Sequence, residues 1–81
     1  MYSVYVLRSV PNRKRYVGYT SQKVTARLGQ HNSGHNRWTA QNGPFELVRV
    51  EEFEQKADAK TRERYLKTGV GRRELDHLVG R

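Results

Sequence analysis

The first nineteen residues predict a β-hairpin, and this hairpin constrains the fold more than any other part of the chain. Residues 2–7 are rich in Val and Tyr, which suit a pleated sheet. Residues 10–12 read Val-Pro-Asn and supply a turn, and residues 15–19 return as a second strand. Because both faces of the first strand are largely apolar, we expect it to be an inner strand. A third strand is therefore expected on its other side, since three strands are about the minimum for a stable sheet.

The remaining chain alternates between helix and strand patterns. The spacing of Val24 and Leu28 predicts a helix over residues 22–31, capped by the hydroxyl of Thr20 or Ser21. A loop is predicted next, over residues 35–44, with a short helical turn at 37–41. It is followed by a strand over 45–53 and a helix over 55–67. After a glycine break at 69–71, the last helix is predicted over 72–79. The predicted order β-β-α-β-α-α describes a mixed α/β fold, a small sheet with helices packed on it.

The length and the cysteine count exclude several classes of protein. With 81 residues the chain forms one domain, residues 1–81. It has no cysteine, which excludes a disulfide framework and a cysteine-ligated zinc site and is compatible with a reducing cytoplasm. No apolar run approaches the roughly 20 residues that span a bilayer. The N-terminus also lacks the basic region of a signal peptide, so we expect a cytoplasmic protein with no membrane partner.

The basic charge is concentrated in one half of the chain. The formal net charge is +8 at pH 7. Residues 1–45 contain seven basic residues and no acidic residue, whereas residues 46–81 contain nine basic and eight acidic ones. A segment with so much unbalanced positive charge suggests a polyanionic partner, most plausibly nucleic acid.

Glu63 is the most informative acidic residue. Its spacing from Ala59 and Leu66 places it on the helix stripe that faces the core or a cleft, where a carboxylate is costly unless it is paired or binds a metal. One interpretation is structural, a carboxylate that reaches the surface or pairs with a neighbouring cation, the candidates being Arg62, Arg64 and Lys67. The other is functional: a single carboxylate in a basic site suits Mg²⁺ that is shared with a phosphate and water, with Mn²⁺ as an alternative.

The other candidate site residues each have a structural and a functional interpretation. Tyr5 and Tyr16 lie at similar distances from the turn, so the structural interpretation is that they pack against each other across the two strands. The functional interpretation is that their phenols orient or deprotonate a water near a phosphate, which requires nearby cations that lower the pKa of a phenol. Arg27 is a solvated helix cation or a phosphate clamp. His31 lies four residues after Arg27. In the structural interpretation it interacts with the helix dipole, and in the functional one it shares a helix face with Arg27. Trp38 is a core residue or a stacking platform for a base.

Five of these positions together resemble the GIY-YIG nuclease family. The resemblance is carried by Tyr5, Tyr16-Val17-Gly18, Arg27, His31 and Glu63 in that order. It is closest to the small stand-alone bacterial branch related to the N-terminal domain of the excision-repair endonuclease subunit, and it covers nearly the whole chain. It implies three antiparallel strands flanked by helices, and phosphodiester hydrolysis with one divalent metal, Mg²⁺ or Mn²⁺.

The resemblance also implies a role for each matching residue. Glu63 matches the metal ligand, Arg27 the phosphate-binding arginine, and Tyr5 and Tyr16 the motif tyrosines, one of which activates or orients the water. His31 matches a position near the scissile phosphate, and Gly18 matches the motif glycine that permits the close approach of the helix or the phosphate. The remaining substrate-binding candidates are basic or aromatic: Arg15, Lys23, Arg37 and Trp38.

The sequence departs from the family pattern in three places. The first motif reads Ser3-Val4-Tyr5 without its glycine, Tyr19 stands where some relatives carry lysine, and a late asparagine of some relatives has no clear match. We expect no appended target-selecting domain, and therefore expect specificity to come from this domain or from a protein partner. We therefore expect a metal-dependent DNA endonuclease that acts on branched, damaged or single-stranded structures. The alternative is a non-catalytic nucleic-acid-binding module that retains the fold.

Overall fold

The computed structural model describes residues 1–33 and 37–80, without the side chains of residues 38 and 39. Its elements in chain order are β1 (Tyr2–Ser9), β2 (Arg15–Thr20), α1 (Val24–Asn32), α2 (Arg37–Asn42), β3 (Phe45–Phe53), α3 (Lys56–Leu66) and α4 (Gly69–Val79). The six predicted elements are all present in the predicted order. The short helical turn expected before the third strand is the helix α2. Among the described residues, no helix has the length and apolar character that a membrane span requires.

The three strands form one antiparallel sheet with β1 in the centre, in the order β2-β1-β3. This confirms that the first strand is the inner one. In the β1–β2 register, Tyr5 lies opposite Gly18 and Leu7 lies opposite Tyr16. Tyr5 and Tyr16 are therefore diagonal neighbours on one face of the sheet, which agrees with their prediction as cross-strand partners.

Helices cover both faces of the sheet because the apolar residues of β1 alternate in direction. On one face, Val4 and Val6 pack with Val17 and with residues of α3 and α4. On the other face, Tyr5 and Leu7 pack with Phe45 and with partly buried residues of α1, including the predicted pair Val24 and Leu28. The candidate site residues of β1 thus share their face of the sheet with α1.

The start of α1 differs from the prediction. The helix begins at Val24, and the residue before it, Lys23, makes no side-chain cap. Thr20 is still part of β2, and its Oγ1 accepts a hydrogen bond from the backbone N–H of Gln22 at 2.9 Å. The prediction that Thr20 or Ser21 caps the helix is therefore wrong, because the sheet holds Thr20 and its hydroxyl closes a local turn instead.

The predicted glycine break at 69–71 is also wrong, since these residues form the first turn of α4. Thr68 is the cap of that helix, and its hydroxyl oxygen accepts a hydrogen bond from the backbone N–H of Gly71 at 3.1 Å. A Cβ on Gly71 would lie 2.6 Å from the Cα of Leu66, which is closer than real Cβ atoms come to other atoms. Glycine is needed here for the close packing of α4 on the end of α3, rather than to end a helix.

Candidate active site

Tyr5 occupies the centre of the candidate site. It lies on the inner strand and is only 1% exposed. Its hydroxyl is 3.0 Å from Nε2 of His31, which lies in the last turn of α1 and is also 1% exposed. The sheet and α1 therefore bring together two motif residues that are 26 positions apart in the chain.

Burial raises the pKa of Tyr5 above its usual value. The nearby guanidinium of Arg27 acts in the opposite direction, while the electrostatic interactions with Tyr16 and Glu63 act to raise the pKa of Tyr5 further. The sequence interpretation required cations to lower the pKa of a phenol that deprotonates water. For Tyr5 the net effect is the reverse, because desolvation outweighs the attraction of Arg27. Tyr5 is consequently neutral at physiological pH and can donate a hydrogen bond.

Gly18 packs directly under the hydroxyl of Tyr5. A Cβ at this position would lie 2.6 Å from the Tyr5 hydroxyl oxygen and 3.1 Å from Cε1 of Tyr16. The close approach therefore involves the two tyrosines, and any side chain at residue 18 would displace them. This is a physical reason for glycine at this position of β2.

Tyr16 completes an aromatic group of three rings. Its ring centroid lies 4.7 Å from that of His31 and 6.4 Å from that of Tyr5. Unlike Tyr5 and His31, Tyr16 is partly exposed, because it lies on the edge strand β2. Of the two tyrosines, Tyr16 is therefore the one that reaches solvent.

Arg27 lies one turn before His31 on α1 and is partly exposed. Its Nη1 donates a hydrogen bond to Oε1 of Gln30 at 2.6 Å. It also lines a groove of about 420 Å³, together with Tyr19 and Thr20 at the end of β2. Across the part of the chain that the structure describes, no carboxylate forms an ion pair with Arg27. Its positive charge is thus available to an anion in this groove.

Glu63 lies on α3 at the border of the core rather than inside it. Ala59 and Leu66 are almost fully buried, whereas the side chain of Glu63 is 17% exposed and lies 3.4 Å from Nζ of Lys67. Of the three cations that the structural interpretation allowed as partners, Lys67, one helical turn later, is the one that pairs with Glu63. Arg62 is not the partner, since it pairs with Glu51 and Glu74 at 2.8 and 2.6 Å.

The donor set fits a shared divalent cation better than a protein-enclosed one. No group of three or more His, Asp or Glu side chains that could hold a metal occurs in residues 1–33 and 37–80. Glu63 offers one hard carboxylate whose charge acts on Tyr5. A single carboxylate suits Mg²⁺ that takes its other ligands from water and a substrate phosphate.

The predicted substrate-binding residues are more scattered. Arg15 pairs with Asp76 at 2.8 Å, near the β1–β2 turn. Lys23 precedes α1 and Arg37 begins α2, and both are exposed. The predicted role of Trp38 lies outside the described residues, since its side chain is not among them. The structure therefore groups Tyr5, Tyr16, Gly18, Arg27 and His31 closely, places Glu63 within electrostatic range, and leaves the basic residues on the periphery.

Sequence reasoning missed the ion pair between Arg15 and Asp76, residues that are far apart in the chain and carry no local signal of contact. It did name Lys67 among three possible partners of Glu63, and the spacing of four on a helix favours that one.

Comparison with known proteins identifies the family. Residues 1–75 match the GIY-YIG catalytic domain. The chain belongs to this family. The resemblance read from Tyr5, Tyr16, Arg27, His31 and Glu63 is thereby confirmed at the level of the family, which supports a nuclease-type domain that binds nucleic acid.

Two relatives extend the comparison. The chain is 37% identical over 65 residues to the UPF0213 protein CPE1444 of Clostridium perfringens, a match that covers 79% of this chain and 68% of the relative. It also resembles the solution NMR structure of the UPF0213 protein BH0048 from Bacillus halodurans, with a TM-score of 0.58 and 32% identity over 99% of this chain and 87% of the other. This GIY-YIG chain therefore has the predicted fold, a three-stranded antiparallel sheet with helices.

Proposed function

We propose that this chain is a metal-dependent endonuclease that hydrolyses phosphodiester bonds in DNA. The observation that carries the proposal is the surroundings of Tyr5, whose hydroxyl is 3.0 Å from His31 and under the electrostatic influence of both Arg27 and Glu63. A site that only binds nucleic acid has no use for a carboxylate among groups that attract phosphate. A site that cleaves it needs such a carboxylate as a metal ligand.

Arg27 is proposed to hold the scissile phosphate. Its present partner, Gln30, is a neutral acceptor, which a phosphate oxygen can replace with a stronger, charge-assisted bond. The planar guanidinium can donate two hydrogen bonds to the phosphate and stabilise the charge that develops on it. The groove beside Arg27 gives the phosphate access from solvent.

Tyr5 and Tyr16 are proposed to have different roles in the reaction. Tyr5, buried and neutral, orients the reacting groups through its hydroxyl and exchanges a hydrogen bond with His31. Tyr16 reaches solvent and packs its ring against His31, so we assign it the contact with the attacking water. Proton transfer by a positioned side chain of this type contributes about 10²–10⁴-fold to a reaction rate.

Glu63 is proposed to hold the divalent metal, Mg²⁺ or Mn²⁺. When bound, such a metal polarises the phosphate and favours the ionised form of a bound water. Lys67, the present partner of Glu63, has a side chain that is 51% exposed, so its ammonium group can turn away into solvent. The carboxylate is thus accessible to a cation at little cost.

The substrate is proposed to be branched, damaged or partly single-stranded DNA. DNA is favoured by the resemblance to the excision-repair endonuclease, which also suggests a role in DNA repair in the cytoplasm. The exposed Lys23 and Arg37, with Arg15 and Trp38, are proposed contacts to the substrate backbone and bases. A protein partner would select the target if this domain does not select it alone.

A cleavage assay tests the proposal. The purified chain is incubated with a panel of end-labelled DNA and RNA structures in Mg²⁺ or Mn²⁺, beside the Glu63→Gln variant. We expect metal-dependent cleavage of at least one DNA structure by the wild type and none by the variant. Binding should weaken steeply as salt increases, because counterion release dominates contacts with phosphates. Tight binding to DNA without cleavage of any structure would favour the non-catalytic module.

A further inference from the structure

A cleft lies between the β1–β2 turn and the corner formed by α3 and α4. The charged residues on its rim are Arg13, Lys14, Arg15, Lys67, Arg72 and Asp76. We name it the hairpin cleft. Its volume is about 750 Å³, within the range of about 300–1,000 Å³ that is typical of small-ligand sites. Five positive charges and one negative charge on the rim indicate an anionic ligand.

The floor of the hairpin cleft is apolar. It is formed by Val17, Leu66 and Leu75, three core residues that are each at most 7% exposed. A site that binds only phosphate has no need of an apolar floor. A nucleotide has both features that the cleft can recognise, because its base is flat and largely apolar on its faces and its phosphate is anionic.

The rim retains unused hydrogen-bonding capacity. Among the described residues, Lys14 and Arg72 have no acidic partner, and both are exposed. Arg15 uses its Nη2 to form an ion pair with Oδ1 of Asp76 at 2.8 Å and to donate a hydrogen bond to the backbone carbonyl of Arg72 at 3.3 Å. The exposed cations Lys14 and Arg72 are therefore the rim groups that a phosphate in the cleft can contact.

The hairpin cleft adjoins the candidate active site. Tyr16 lines the cleft and packs against His31, and Lys67 lines it and pairs with Glu63. The groove of Arg27 lies towards the other end of β2, at Thr20. The distance along the strand from Tyr16 to Thr20 is about 13 Å at roughly 3.3 Å per residue. A DNA strand held at Arg27 can therefore extend into the cleft.

We propose that the hairpin cleft binds one unpaired nucleotide of the substrate, next to the phosphate held at Arg27. The inference rests on the proposed nuclease function and narrows its substrate to DNA with an unpaired nucleotide beside the cleavage point. The base lies on the apolar floor. The phosphate of that nucleotide accepts hydrogen bonds from the exposed rim cations Lys14 and Arg72.

The test measures binding rather than cleavage, by fluorescence anisotropy in EDTA. The probes are a labelled blunt duplex, the same duplex with a short single-stranded extension, and that extended duplex with abasic nucleotides in the extension. The abasic probe retains every phosphate but has no bases to place on the floor. We expect the wild type to bind the intact extension at least about fivefold more tightly than the abasic one, the lower limit for burying one base on such a surface.

The matched variants are two double substitutions. Lys14→Ala with Arg72→Ala removes two rim cations that have no acidic partner, and Lys60→Ala with Arg73→Ala removes two other exposed cations outside the cleft. The cleft variant should bind the extended duplex more weakly by roughly fivefold for each cation removed, the size of one solvent-exposed ion pair. The control should change all three probes equally and keep the preference for the intact extension.

The outcomes separate this inference from the proposed function. Equal affinity of the wild type for intact and abasic extensions would overturn the base site. An equal loss, in both double variants, of the preference for the intact over the abasic extension would overturn it as well. Neither result would affect the nuclease proposal. A wild type that binds none of the probes at low salt would overturn both.

Discussion

Glu63→Gln is the substitution that tests the candidate site most directly. It keeps the shape of the side chain and removes the charge that a divalent metal requires. In the structure, the carboxylate of Glu63 lies 3.4 Å from Nζ of Lys67, and the lysine side chain is 51% exposed. The two interpretations of Glu63, metal ligand and structural ion pair, therefore predict different effects on stability and on cleavage.

The stability effect should be small. A solvent-exposed ion pair contributes about 0.2–1 kcal/mol, so its loss is the upper limit of the destabilisation. For a domain of 81 residues, 1 kcal/mol changes the melting temperature by about 4–8 °C. We therefore expect a decrease of no more than about 8 °C.

The substitution should have opposite effects on the cleavage and on the binding of DNA. Cleavage should fall to background, because the metal ligand is lost. Binding should persist or become tighter, because Lys67 is released to contact a phosphate. One additional phosphate contact would steepen the dependence of log affinity on log salt by about 0.9.

The assay compares Glu63→Gln with Glu46→Gln by thermal melting, DNA binding and cleavage in Mg²⁺. Glu46 pairs with Arg8 at 2.8 Å and is half exposed, so this control makes the same charge change in a similar ion pair on β3. The control should cleave like the wild type. If Glu63→Gln lowered the melting temperature by far more than the control and still cleaved DNA, Glu63 would be a structural residue and its assignment as metal ligand would be refuted.

Three further substitutions test the remaining site residues. Arg27→Ala should retain the wild-type melting temperature and lose roughly 100-fold or more in cleavage rate. Arg27→Lys should recover the rate only partly, because lysine lacks the planar guanidinium, and wild-type rates in the Ala variant would remove Arg27 from the site. Gly18→Ala places a Cβ 2.6 Å from the Tyr5 hydroxyl, so overpacking should cost about 1–3 kcal/mol in thermal melting, and an unchanged melting temperature would contradict the close approach. Because the pKa of Tyr5 is raised in the folded state, its contribution to stability is present below the unfolded pKa and is lost as pH rises towards the folded one. The melting temperature of the wild type should therefore decrease more steeply above pH 10 than that of Tyr5→Phe, and parallel curves would speak against a buried phenol.

Much of the fold could be predicted from local pattern. The density of Val and Tyr over the first strand and the turn after it predicted the hairpin, and apolar residues on both faces predicted that β1 is central. The spacing of Val24 and Leu28 predicted the face of α1 that packs on the sheet. These signals are readable because the period of a strand or a helix is set by its own backbone geometry.

The identity of the motif residues could also be read from the chain, but their chemical states could not. Residue order and spacing identified Tyr5 and His31, and the structure then showed that both are buried and in contact. Burial is what raises the pKa of Tyr5, and it depends on how α1 packs against the sheet. The catalytic roles of Tyr5, Tyr16, Arg27, His31 and Glu63 stay predictions that the experiments above address.

Contacts between distant elements were decided by the tertiary structure alone. The ion pair between Arg15 and Asp76, and with it the hairpin cleft, exists because α4 returns to the β1–β2 turn. Gly71 reads as a helix breaker in sequence, yet it lies within α4, where the backbone of Leu66 leaves no space for a side chain. Sequence determined the elements and the motif residues of this protein, because both follow from residue order and spacing. Which distant charges are paired, and which motif residues are buried, depended on the docking of α1, α3 and α4, which no local pattern encodes.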